Sequence, residues 1–197
     1  MSRDQILEAA AQIFRTKGYH AASMSDIAQA VNLQKASLYH HVSSKQDILL
    51  ALLDLGLDMV TQELLAVLEN DGAPEEKLRL AMTTYLQTLV KQRDLTAVLL
   101  LEYRSLEPML LARHIPRRDR FEQIWSDLIQ EGVDSGVFRC QNPRLAARAL
   151  LGVMNWTITW FRPDGRLTAS EVASQFANIF INGLLNREED EDNRKRN

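Results

Sequence analysis

Residues 34–45 read Gln-Lys-Ala-Ser-Leu-Tyr-His-His-Val-Ser-Ser-Lys, a run dense in groups suited to nucleic acid. Lys35 can hydrogen-bond the acceptor edge of guanine, and Gln34 can pair with adenine. Tyr39 and His40 suit a thymine methyl, a sugar edge or a phosphate. Ser37, His41 and Lys45 suit phosphate oxygens, Lys45 with help from the helix N-terminus on which it sits. His40 and His41 do not make a metal site, because adjacent residues on a helix point in different directions. No Cys or carboxylate pair supports them either. A solvated helical hairpin would explain the periodicity of this stretch but not its choice of residues.

Such a run needs two short helices and a tight turn to present it. Ser23 followed by Asp26 has the spacing of a capping box. Ile27, Ala28 and Val31 then share one helical face. Asn32 tolerates the left-handed conformation of a turn, and Leu33 fills the corner. Residues 34–41 are expected to form the second helix, with Leu38 facing inward. Ser44 and Asp47 repeat the capping pattern and open the next helix. Helix, turn, helix with a polar and aromatic outer face is the layout in which the second helix enters the DNA major groove. Upstream, residues 3–17 place Ile6, Leu7, Ala10, Ile13 and Phe14 on one face, and Gly18 stops that helix. Three helices in under about 50 residues are marginal alone, so the head must lean on the rest of the chain.

The chain beyond the head is long and leucine-rich. Residues 45–68 read as one helix that links the head to the body. Helices are expected over 75–91, 95–106, 108–131 with a disturbance at Pro116, 143–160 behind Asn142-Pro143, and 169–185 behind Thr168. The fold class is therefore all-α, with about nine helices. The domains are a DNA-binding head over 1–47, a helical body over 48–186, and a charged tail over 187–197 that reads as disordered. Of 197 residues 46% are hydrophobic, enough for a sizeable core, and 5 Pro with 8 Gly argue against a loop-rich β protein. The single Cys140 permits no intramolecular disulfide and fits a reducing cytoplasm. Apolar runs broken by charge well short of about 20 residues predict no membrane span. A net charge of −3 is compatible with a DNA binder that is basic on one face only.

The stretch DIAQAVNLQKASLYHHVSSKQDIL, residues 26–49, closely resembles the DNA-binding signature of the TetR family of transcriptional repressors. Asn32 stands where Gly is usual, Gln34 where Ser is usual and Ala36 where Gly is common. Gln34 and Ala36 fall where that family makes base contacts, so these departures bear on operator sequence. The resemblance implies a base-reading helix, a phosphate-contacting Tyr39–His41 pair and a Lys45 at the start of the fourth helix.

The resemblance also implies a small effector inside the helical body that changes the spacing of two DNA heads. The residues expected to line its cavity are Met82, Tyr85, Leu89, Leu101, Arg104, Arg117, Arg118, Phe121, Trp125, Met154, Trp156 and Trp160. Ordinary core packing explains each apolar one singly. Residues 102–106, 117–121 and 155–167 look like a TetR branch that controls fatty-acid, branched-chain or sterol catabolism and responds to acyl-CoA thioesters. Arg113, His114, Arg117, Arg118 and Arg120 concentrate positive charge that coenzyme A phosphates could neutralise. Pairing with Glu102, Glu107, Asp119 and Glu122 is the alternative. A drug-like or aromatic effector is the other reading of the body.

Leu150, Val153, Phe176, Ile179, Phe180 and Leu184 give the last two helices more apolar surface than one chain can readily cover. In the TetR family these helices pair with their copies, which suits a palindromic operator. The expected partners are double-stranded operator DNA, a second copy of the chain and the effector, with no membrane, cofactor or metal. An enzyme would need a phosphate loop, zinc spacing, a nucleophile elbow or a placed acid–base pair, and none is present. A helical protein-binding adaptor would explain the long apolar helices but leave residues 35–45 without a purpose.

Overall fold

The computed structural model describes residues 2–185. Its helices are α1 (Arg3–Lys17), α2 (Met24–Ala30), α3 (Lys35–Leu38), α4 (Lys45–Leu68), α5 (Pro74–Lys91), α6 (Arg93–Leu101), α7 (Pro108–Asp134), α8 (Pro143–Trp160) and α9 (Ala169–Leu184). A single 3₁₀ turn, Tyr103–Ser105, joins α6 to α7. The only pairing of strand type among the described residues is an isolated antiparallel bridge between Phe138 and Leu185. The tail over 187–197, expected to be disordered, lies outside the described residues.

Local chemistry sets the helix ends. Reciprocal capping boxes open α1 (Ser2 with Gln5), α2 (Ser23 with Asp26) and α9 (Thr168 with Glu171). Asn142 accepts from the Leu145 N–H ahead of Pro143, which opens α8. Gly18 follows α1 at φ 78°, a conformation that side chains rarely adopt. α7 continues through Pro116 to Asp134 as one helix. Two expected helices are shorter: α6 ends at Leu101, and the second helix of the head spans four residues.

The helices form two packed units. The first contains residues 2–61 and 91–119. In it α1 lies along α6, and α2 bridges α1 and α3. Ile6, Phe14, Ile27, Leu38, Ile48, Leu49, Leu52 and Leu53 form its core. Gly56 lets α6 approach α4 closely, since a Cβ there would sit 3.3 Å from Leu99 Cβ. The second unit takes residues 62–90 and everything described from 120 onward. Leu78, Met82, Leu86, Trp125, Ile129, Leu150 and Met154 are buried in it. Phe138 lies across Gly132 so tightly that a Cβ there would fall 2.0 Å from its ring. α4 runs unbroken through the boundary that the sequence suggests at residue 47.

Candidate nucleic-acid interface and effector site

The turn of the head is built as its residues require. The Asp26 carboxylate accepts from the Ser23 N–H and hydroxyl and from Lys17 Nζ, and these bonds hold its pKa down to about 2. Asn32 has φ 54°, and the Leu33 N–H returns to the Ala28 carbonyl at 2.8 Å. Asn tolerates this left-handed corner better than other residues with a Cβ. The α-helix that begins at Lys35 is over by Leu38. The His40 and His41 N–H groups reach back three residues, to Ser37 and Leu38, so Tyr39, His40 and His41 occupy a tight turn. Buried Leu38 and Val42 pin both ends of that turn to the core. Gln34, Lys35, Ala36, Tyr39, His40 and His41 are exposed or half-exposed at the surface, and Ser37 is half-buried.

Lys45 departs from the sequence expectation. Its ammonium donates to the Tyr19 carbonyl at 2.9 Å and the Ala22 carbonyl at 2.7 Å, and lies 3.5 Å from that of His20. It also sits 4.4 Å above the Tyr19 ring. An ammonium has three N–H donors, and these carbonyls engage them. In this structure Lys45 ties α4 to the loop before α2 and is not a free phosphate ligand.

A second set of bonds joins the head to the α6–α7 corner. Glu102 Oε1 accepts from the Tyr19 N–H at 3.0 Å, and Gln46 Nε2 donates to the Ser105 carbonyl at 2.9 Å. Gln46 Oε1 accepts from the Glu107 N–H, while the Ser105 hydroxyl reaches Glu102 Oε2 and lies 3.3 Å from His20 Nε2. Desolvation, the Glu107 and Glu102 charges adding to it, raises the Tyr19 phenol above its ordinary value. Of these partners only Glu102 and Glu107 carry a signal in the sequence. Gln46 is recognisable there only as a polar residue beside Lys45.

The basic segment of α7 is largely engaged within the chain. Arg117 pairs with Asp54 at 3.4 Å and with Asp58 at 2.5 Å. The Arg118 guanidinium stacks 4.2 Å from the Tyr103 ring, and Arg104 Nε donates to the Tyr103 hydroxyl. The Arg104 bond and the two cations lower the Tyr103 phenol. The expected acidic partners are not the ones used, since Glu102 serves the head and Glu122 pairs with Arg144 and Arg148. Asp54 and Asp58 take their place. Their signal in the sequence is two carboxylates four apart in an otherwise leucine-rich helix. His114 is fully buried, with Nδ1 3.4 Å from Asp54 Oδ1 and Nε2 unpartnered among the described residues. Burial lowers its pKa from the ordinary 6.5.

In the second unit Met82, Tyr85, Leu89, Phe121, Trp125 and Met154 are all buried. Tyr85 stands 5.7 Å from both the Phe121 and Trp125 rings, and its hydroxyl donates to Asn155 Oδ1 at 2.7 Å. Burial pushes that phenol up. The other effector candidates do not join this nest as buried residues. Leu101, in the first unit, is 55% exposed; Trp156 is 66% exposed and Trp160 is exposed as well. Trp156 instead extends the outer face of α8 with Leu145 and Val153, as the helical spacing requires. Ile179, at 68% exposure, is the outward apolar residue of α9, with Phe176 and Phe180 half-buried. Leu150 and Leu184, expected on the dimer face, are core residues. Trp160 packs edge-on against Phe161 and Phe176.

Comparison with known proteins agrees with this architecture. Residues 6–52 match the profile of bacterial regulatory proteins, tetR family, and residues 71–184 match the tetracyclin repressor-like C-terminal domain. The chain is 26% identical to the HTH-type transcriptional repressor KstR2 of Mycolicibacterium smegmatis, covering 95% of this chain and 93% of that one. The TetR family transcriptional regulator PfmR from Thermus thermophilus superimposes with a TM-score of 0.83 at 38% identity, over 90% of this chain and 97% of that one. AibR, in complex with isovaleryl coenzyme A and operator DNA, superimposes with a TM-score of 0.80 at 29% identity, over 93% and 97%. Among the described residues no helix is long and apolar enough to cross a membrane.

Proposed function

Because this chain belongs to the TetR family of bacterial regulatory proteins, and so is a regulator and not an enzyme, we propose that it is a homodimeric, cytoplasmic repressor released from a palindromic operator by an acyl-CoA. Residues 34–41 read the DNA. Gln34 and Lys35 face base edges, Ala36 lets the backbone approach, and Ser37, Tyr39, His40 and His41 contact sugar and phosphate. Lys45 acts one step behind them by holding α4 against the head. The observation that carries this reading is the Gln34–His41 surface on a capped helix-turn-helix whose corner residue, Asn32, takes the left-handed conformation. The functional boundary near residue 47 separates reading from response.

The dimer forms through α8 and α9, using Val153, Trp156, Ile179, Phe176 and Phe180. An isologous pairing of these faces gives the two-fold axis that a palindrome demands. The effector occupies the body around Met82, Tyr85, Leu89, Phe121, Trp125 and Met154. An acyl-CoA is favoured because AibR, similar over most of its length, binds isovaleryl coenzyme A. Arg117 is bound to two carboxylates and Arg118 covers the Tyr103 ring, so neither is free to take a coenzyme A phosphate. Displacement of the α6–α7 corner would pull on Tyr19 and Gln46 and so turn the head. Moving the operator-binding population requires only a few kcal/mol of differential affinity between the two states.

The test is binding to a duplex enriched from a random-sequence pool, followed by anisotropy across ionic strength and then with a series of acyl-CoAs. A dimer that binds with a steep salt slope and dissociates on adding a thioester supports the proposal. Release by aromatic cations alone would move the effector to the drug-like class, and absence of any duplex binding would leave only the adaptor.

A further inference from the structure

One buried polar atom of the second unit has no use in the fold. Trp125 is 0% exposed, and its Nε1 has no acceptor among the described residues. An indole N–H in that position forgoes its bond to water and normally finds a partner, and leaving such a donor unmet is destabilising. Its ring neighbours do not supply one. Phe121 stands 6.4 Å away, ring to ring, and offers carbon only. Tyr85 stands at 5.7 Å, ring to ring, and its hydroxyl, which donates to Asn155 Oδ1, is not within hydrogen-bond distance of the indole nitrogen. The aromatic nest thus holds an unmet donor, in a unit whose buried residues include the apolar Met82, Leu89 and Met154.

We infer that the Trp125 indole N–H is the polar anchor of the effector site and that it recognises a neutral carbonyl oxygen on an otherwise apolar ligand. This inference rests on the effector reading above and deepens it. An unmet donor selects an acceptor atom, which an ammonium group does not offer. A free carboxylate is disfavoured as well. It would lose its hydration among residues none of which carries a charge. Thioesters, esters and ketones satisfy the donor with no charge to bury. Trp125 is therefore a specificity-determining residue that separates an acyl thioester from the corresponding acid.

The experiment uses the full chain and four probes: octanoyl-CoA, the octyl-CoA thioether that lacks only the carbonyl oxygen, methyl octyl ketone and sodium octanoate. Calorimetric binding is measured on the wild type and on Trp125→Phe, which keeps an aromatic ring and removes the N–H. The wild type should bind octanoyl-CoA about tenfold more tightly than the thioether, and Trp125→Phe should reduce that ratio to near one. Methyl octyl ketone binding would show that the carbonyl suffices without coenzyme A, and octanoate should bind weakest.

The sequence has three tryptophans, so ¹⁵N-indole spectra give a readout independent of the variant's stability. One of the three N–H signals, the one missing from Trp125→Phe or insensitive to solvent exchange in the wild type, should move downfield with octanoyl-CoA and not with the thioether. Equal wild-type affinity for thioester and thioether, or no movement of the buried indole signal, would overturn the anchor while leaving acyl-CoA as effector. Failure of the wild type to bind any of the four would overturn both.

Discussion

Two stretches of this chain look alike on paper and differ in the fold. Residues 34–45 and 113–120 are both short, rich in cations and aromatic neighbours, and both suggest anionic partners. In the head, the side chains of Gln34 to His41 have no hydrogen-bond or ion-pair partner among the described residues. On α7, Arg117 holds Asp54 and Asp58 while Arg118 covers Tyr103. The last residue of the first stretch, Lys45, behaves like the second group, with its donors on backbone carbonyls. A cation that the fold has already paired is a tether; one held in solvent by a rigid turn is available to a ligand. Spacing cannot separate the two, because the deciding partners lie tens of residues away.

That contrast can be broken at several points. Lys45→Met should have the largest effect on stability, about 2 kcal/mol, since it removes charged hydrogen bonds and leaves backbone carbonyls unmet. It should weaken DNA binding through the head's geometry with the salt slope unchanged. Arg117→Glu comes next. It sets a third carboxylate beside Asp54 and Asp58 and should cost about 1–2 kcal/mol by denaturant melt, discounted because the pair is partly exposed. If Arg117→Glu instead leaves stability intact and abolishes only the acyl-CoA response, the internal tether is the wrong account.

A pH dependence of stability is expected from His114. Its folded pKa lies below the ordinary 6.5, so the unfolded chain takes up the proton first, and stability should decline as pH falls below 6.5. His114→Gln should flatten this part of the profile in thermal melts. The smallest change in stability belongs to Lys35→Met, within about 0.5 kcal/mol. Yet it should lower the salt slope of DNA binding by about one if Lys35 neutralises a phosphate, or relax base preference at one position if it reads guanine. An unchanged slope and an unchanged preference would remove Lys35 from the interface.

Most of the helical architecture is legible in the sequence because its signals are local. Ser23 with Asp26, Asn32, Asn142-Pro143 and Thr168 each act within four residues, and each does in the structure what its type requires. The second helix of the head is shorter than its sequence suggests, because residues 39–41 are compatible with helix while the buried Leu38 and Val42 draw the chain into a tight turn. The site is less legible. Trp156 and Trp160 carry the same apolar signal as Trp125, and only packing assigns the first two to an outer face and the third to the core. Gln46, Asp58 and Asn155 gain their roles from Ser105, Arg117 and Tyr85, contacts across some sixty residues or more that no periodicity encodes.

The most direct test of the central claim is a single titration. A duplex enriched from a random pool is half-saturated with the wild-type protein, the complex is confirmed as a dimer by light scattering, and acyl-CoAs of increasing chain length are added. At least one thioester should dissociate the complex at concentrations where its free acid does not. A complex that persists against every thioester, or one formed by a monomer, would contradict it.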